Sequence, residues 1–143
     1  MSQKEFALLK NFDNESYIID LPLSTVLMTN KEECPWILLI PRKLKENGDP
    51  ITQMNQLTEE DQMQLQSEIT LASNVMEELF PCDRINVAAI GNMTPQLHVH
   101  VICRTKNDPH WPDTIWNKPL TEMEEKDMEI RAERIREEFE KFC

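Results

Sequence analysis

The sequence predicts an α+β fold built on an antiparallel sheet, and three observations carry the prediction. Short runs rich in β-branched and aromatic residues follow one another across loops that suit hairpins. Two longer stretches repeat apolar residues at spacings of 4 and 3, the period of a helix with one buried face. The order is strands, helix, strands, helix, which separates the element types instead of alternating them strictly.

The elements follow in order. Residues 4–10 carry Phe6, Leu8 and Leu9 and read as a short helical turn, broken by Asp13-Asn14-Glu15-Ser16. Residues 17–20 read as a strand. After Pro22, residues 23–28 read as a second. Asn30-Lys31-Glu32-Glu33-Cys34-Pro35 is a turn, and Trp36-Ile37-Leu38-Leu39-Ile40 is a strand covered on both faces that ends at Pro41. Strands 23–28 and 36–40 form a hairpin. Residues 42–57 are loop, with a tight turn at Asn47-Gly48-Asp49-Pro50. Thr58 reads as a helix N-cap, with Glu59, Glu60 and Asp61 beside the positive end of the helix dipole. Leu65, Ile69, Ala72, Met76 and Leu79 mark its apolar stripe, and Pro81 stops it. Residues 86–89 make a strand, Gly91-Asn92-Met93-Thr94-Pro95 the turn, and residues 96–102 the next strand. An irregular segment, 107–119, spends Trp111 and Trp116 on tethering the tail or on stacking against a base. A last helix begins at Thr121. Met128, Ala132, Ile135, Phe139 and Phe142 form its stripe, and Glu122–Lys126, Asp127–Arg131 and Glu137–Lys141 are i,i+4 pairs. This helix packs on its own domain or on a second copy of the chain.

Bulk properties narrow the function. A length of 143 residues fits about one domain. A net charge of −11 repels duplex nucleic acid and anionic membranes, so any phosphate must be held by local donors. No apolar run reaches the length of a membrane span, and the N-terminus lacks the order of a signal peptide, so a cytoplasmic location is expected. Cys34, Cys82, Cys103 and Cys143 show no paired spacing and are expected to be reduced thiols. With two glycines there is no glycine-rich phosphate loop, which excludes Rossmann and P-loop nucleotide sites. No cofactor is expected.

The chemistry concentrates in Gln96-Leu97-His98-Val99-His100-Val101-Ile102. Strand alternation sends Gln96, His98 and His100 to one side and Leu97, Val99 and Val101 to the other. Imidazole titrates near neutrality, so His98 or His100 can act as a nucleophile or as a proton carrier. A metal site is the alternative, with His110 as the remaining histidine within reach. Cys103 falls on the opposite face, and the strand carries no carboxylate.

The run from Gly91 to Ile102 resembles the signature of the histidine triad (HIT) family, His-φ-His-φ-His-φ-φ, with Gln96 in the first position. Met28-Thr29-Asn30 followed by Trp36-Ile37-Leu38-Leu39-Ile40-Pro41-Arg42 is similar to the hairpin that holds the nucleoside in that family. The likeness covers most of residues 17–112 and is nearest to short bacterial HIT proteins described as diadenosine polyphosphate hydrolase-like. It implies a HIT-like domain over residues 1–112, a sheet of about five strands with one long helix packed on it, and a C-terminal extension over 113–143. It implies hydrolysis or transfer at the α-phosphorus of a nucleotide conjugate, of dinucleoside polyphosphate or nucleoside phosphoramidate type, by a homodimer. His98 matches the nucleophile and His100 the histidine that hydrogen-bonds phosphate. Asn30 matches a ribose contact, and Asn92 and Asn86 match polar phosphate-side positions. Val26 and Leu38 match walls of the base pocket.

Two departures bear on activity. Gln96 cannot shuttle protons, but its backbone carbonyl can still accept from His98 Nδ1. Trp36 stands where many relatives have another histidine, which is expected to remove a polar group from the pocket edge. Arg42, Lys43 and Arg104 could draw phosphates, with surface solvation the alternative for the first two. A nucleotide-binding protein with little turnover and a histidine-based metal-binding module are the rival functions.

Overall fold

The computed structural model describes residues 5–143. Five strands form one antiparallel sheet: β1 (Ser16–Asp20), β2 (Ser24–Met28), β3 (Trp36–Pro41), β4 (Arg84–Ala88) and β5 (Val99–Arg104). Their order is β1-β2-β3-β5-β4, so β5 lies inside the sheet between β3 and β4. Two helices complete the fold, α1 (Glu59–Leu79) and α2 (Glu125–Glu140). This is the α+β architecture that the periodicity predicts.

Both hairpins form as expected. β2 pairs β3 with Met28 opposite Ile37, and β4 pairs β5 with Ala88 opposite His100. Helix α1 starts at its Thr58 cap, whose hydroxyl accepts from the Asp61 amide. Leu65, Ile69, Ala72 and Met76 bury their stripe against Val26, Met28, Val99 and Val101 on one sheet face. Ala132, Ile135 and Phe139 of α2 join that same core. The opposite face is covered by chain without regular helix. There Phe12, Leu27, Trp36, Leu38, Ile102 and Ile115 cluster, with Phe6, Leu9 and Leu120 packed on them. Among the described residues no helix is long and apolar enough to cross a membrane.

Several boundaries move for physical reasons. Lys4, in the first expected turn, lies outside the described residues; residues 5–9 have no helix, and a 3₁₀ turn forms at Lys10–Phe12. β5 starts at Val99, because the Leu97 amide donates to the Ile51 carbonyl rather than to a neighbouring strand. Helix α2 starts at Glu125, because Lys31 bridges Glu122 and the Met123 amide donates to Asn30. Its charges also settle elsewhere. Arg131 donates to the Lys31 and Glu32 carbonyls, and Lys141 pairs with Glu138. Phe142 lies exposed beyond the helix.

The expectation of four reduced thiols is corrected. Cys82 and Cys103 form a disulfide with Cα atoms 5.2 Å apart, while Cys34 and Cys143 are free. The chain after α1 returns along β5, with Ile85 opposite Cys103, and this brings Cys82 alongside. Glu68 was hidden among the polar residues of α1. It is 2 % exposed, and its carboxylate accepts from the Leu23 and Ser24 amides where β2 begins.

Candidate functional site

Strand parity puts His98, His100 and Ile102 on the face away from α1, since Leu97, Val99 and Val101 belong to the helix-covered core. His98 and His100 are buried, with ring centroids 4.9 Å apart in an edge-to-face arrangement. His98 Nδ1 lies 2.7 Å from the Gln96 carbonyl. A carbonyl only accepts, so Nδ1 carries a proton, and in the neutral ring Nε2 is the bare nitrogen that can attack an electrophile. Phe12 meets the His98 ring edge-on at 5.3 Å.

The turn before the motif approaches His98 closely. A Cβ on Gly91 would stand 3.2 Å from the Thr94 carbonyl and 3.7 Å from His98 Cε1. Glycine therefore lets the backbone reach the ring. A cavity of about 770 Å³ opens here, with His98, Gly91, Asn92, Gln53, Asn55 and Gln62 in its lining. Apart from His98 and the Thr52 hydroxyl, the polar side chains of the lining are amides, and no Lys or Arg is among them.

His100 is held differently. The Trp36 indole Nε1–H donates to its Nδ1 at 3.0 Å. Trp116 packs edge-on against both rings, at 5.1 Å from His100 and 5.7 Å from Trp36. Burial drives the pKa of His100 down to about 4; the nearby His98 acts in the same direction, and the Ile90 carbonyl opposes both. His100 is thus neutral at physiological pH. The Trp36 N–H is engaged with His100, and Trp36 is not among the residues lining the cavity beside His98.

The remaining predicted residues separate. Asn92 lines the cavity with His98. Gln96 is 1 % exposed, and its side chain is engaged with Ala7 and Leu9 rather than with the cavity. Asn30 lies beyond the Met28–Ile37–Val101 row, on the side away from His98. Asn86 sits opposite Ile102, and its Oδ1 accepts from Arg104. Arg104 is not a free phosphate ligand. It is 2 % exposed and forms a two-pronged pair with Asp108, at 2.7 and 3.1 Å. That guanidinium and neighbouring backbone amides hold the Asp108 carboxyl down at about 2 despite burial. Trp111 stacks under Arg104 at 6.0 Å, so it tethers the segment to the sheet. Leu38 shares the histidine face, whereas Val26 lies in the helix-covered core and cannot wall this site. Among the described residues no three of His, Cys, Asp and Glu gather to hold a metal ion.

The sequence reading missed Gly91, Phe12 and the amide-lined cavity. Gly91 had a signal, being one of two glycines and next to Asn92. Phe12 had none, since its contact with His98 spans most of the chain.

Residues 12–107 match the family model described as HIT domain. A histidine triad protein from Bradyrhizobium japonicum is 32 % identical, with 94 % of this chain and 98 % of that one covered and a TM-score of 0.85. A histidine triad protein from Marinobacter aquaeolei is also 32 % identical, with 97 % and 99 % covered and a TM-score of 0.87. A third, from Sinorhizobium meliloti, is 30 % identical with a TM-score of 0.84, covering 93 % and 96 %. No curated protein matches the sequence.

Proposed function

The chain belongs to the HIT domain family, whose members are generally nucleotide-binding proteins, hydrolases or transferases, and on that premise we propose a nucleotidyl-histidine reaction for it. His98 Nε2 attacks the α-phosphorus of a nucleotide conjugate. A phosphorus–nitrogen bond forms, and the leaving group departs with the electron pair of its bond and takes up a proton. Water then opens the phosphoramidate and releases a nucleoside monophosphate. Asn92 and His100 steady the phosphoryl oxygens by hydrogen bonding.

The observation that carries this reading is the hydrogen bond from His98 Nδ1 to the Gln96 carbonyl, which assigns attack to Nε2 of a ring that lines the cavity. The cavity also bears on the leaving group. Its lining offers amides, the Thr52 hydroxyl and no Lys or Arg, in a chain of net charge −11, so a nucleoside phosphoramidate suits it better than a dinucleoside polyphosphate. Rapid quenching of a reaction with a nucleoside phosphoramidate, followed by mass spectrometry of the His98 peptide, tests the reading. A nucleotidyl adduct is expected on wild type and none on His98→Ala. Equal turnover by the two proteins overturns it.

A second reading, nucleotide binding with little turnover, is favoured by the cover over the histidines. His98 and His100 are 7 % and 8 % exposed, and Trp116 caps His100. It predicts nucleotide affinity without an adduct. We also propose that two copies pair. Strand β4 lies at the sheet edge with Val87 and, just beyond it, Ile90 exposed, and sedimentation velocity at micromolar concentration reads the outcome.

A further inference from the structure

The indole of Trp36 is a donor only, because its single polar hydrogen is on Nε1. It lies 3.0 Å from His100 Nδ1 in a buried setting. Nδ1 must therefore accept, and the ring proton of neutral His100 resides on Nε2. Turning the ring over would bring a C–H to the indole and orphan a buried donor. The packing resists that rotation as well. Trp36 comes from β3, Trp116 from the 3₁₀ turn at Ile115–Asn117 and His98 from the residues just before β5, and all three meet the ring edge-on.

We infer that Trp36 is a positioning residue of the proposed reaction, whose indole N–H fixes His100 as the Nε2–H tautomer, a neutral donor whose proton faces the Ile90 carbonyl until an arriving phosphoryl oxygen takes that carbonyl's place. The inference rests on the nucleotidyl-transfer reading of His98 for its catalytic consequence; the tautomer stands independently of it. A ring locked in this way donates but does not shuttle protons, since taking a second proton on Nδ1 means expelling the indole. The triad position lost to Gln96 and the proton-carrying capacity lost at His100 then belong to one design, a site with one nucleophile and fixed donors around it.

The experiment uses the ¹⁵N-labelled full chain and long-range proton–nitrogen correlation of the histidine rings, with His100 assigned by loss of its signals in His100→Gln. Wild type is expected to show Nδ1 in the bare-nitrogen region and Nε2 in the protonated region. A protonated Nδ1, or shifts averaged between tautomers, overturns the inference with no variant needed. Trp36→Phe keeps an aromatic ring and removes the donor. Averaged His100 shifts are expected, with kcat for a nucleoside phosphoramidate falling about 5–10-fold, the worth of roughly one hydrogen bond, and KM within about twofold. An unchanged His100 spectrum in that variant, or a rise in KM alone, overturns the positioning role. If Trp36→Phe does not fold, the wild-type spectrum decides. A fixed tautomer in a protein that forms no His98 adduct rejects the reaction while leaving the Trp36–His100 relation intact.

Discussion

The side-chain amide of Gln96 accepts from the Leu9 backbone N–H at 2.9 Å and donates to the Ala7 carbonyl at 2.9 Å. One buried side chain thus treats the N-terminal segment as a neighbouring strand would, satisfying alternate backbone groups. Gln96 thus serves as a clasp, holding the segment that ends in Phe12 against His98. Its backbone carbonyl separately orients the His98 ring.

Gln96→Met separates these two roles, because it matches the length and shape of the side chain while removing both polar ends. Faster hydrogen exchange at the Leu9 amide is expected, together with a loss of stability of about 2 kcal/mol for two hydrogen bonds. The His98 adduct is expected to persist, since the carbonyl remains. Native-state exchange and quench mass spectrometry check the two halves. Unaltered exchange at Leu9 would show that the clasp does not hold the segment.

Arg104 and Asp108 form a second fixed point, beneath the segment that delivers Trp116. Both side chains are nearly inaccessible, so removing one partner leaves the other charged and unpaired. Arg104→Met is expected to destabilise by about 3–5 kcal/mol, read as a large fall in denaturation midpoint. Replacing both, as Arg104→Met with Asp108→Leu, is expected to recover part of that loss. A double variant no more stable than the single one would mean that the Asn86 and Asp113 contacts of Arg104, rather than the ion pair, carry the effect.

How much of this was legible beforehand follows from the range of each signal. Helix α1 and the hairpins were readable because their cues are local: Thr58 with three acids after it, stripes at helical spacing, a glycine-containing turn before the histidines. The face of His98 and His100 was also readable, because parity along a strand needs no tertiary knowledge. What failed was long-range. Gln96 bonds to residues 87 and 89 positions away, and Trp36 to one 64 away, and nothing near either residue announces its partner. The strand boundary at Val99 failed for the same reason, as Ile51 takes the Leu97 amide. Asn30 and Asn86 carried residue types that suit a polar site, but type alone does not decide which end of a strand faces a cavity.

The disulfide makes a chemical prediction. Denaturation without reductant is expected to expose two titratable thiols, Cys34 and Cys143, and full reduction to expose four. The bond closes a loop with a sequence separation of 21, for which the chain-entropy model gives about 3 kcal/mol, so the reduced protein should melt at lower temperature. Four reactive thiols in the unreduced, unfolded protein would remove the bond from the account.

Glu15 supplies a prediction whose sign depends on pH. Burial pushes its carboxyl up to about 7 from 4.5, against the attraction of Lys31, and its Oε2 is buried without a hydrogen-bond partner. The folded chain therefore binds the proton more tightly than the unfolded chain. The stability this contributes is present below pH 4.5 and is lost as pH rises through 7. Above pH 7 the native state carries an ionised carboxylate in a partly desolvated site. Glu15→Gln keeps the shape and cannot ionise. It is expected to raise stability at pH 8 by about 1 kcal/mol, discounted for solvent that still reaches the group, and to change little at pH 5. Chemical denaturation of both proteins at the two pH values reads the difference. An equal effect at both would assign the change to packing, because ionisation of Glu15 can act only in the higher range.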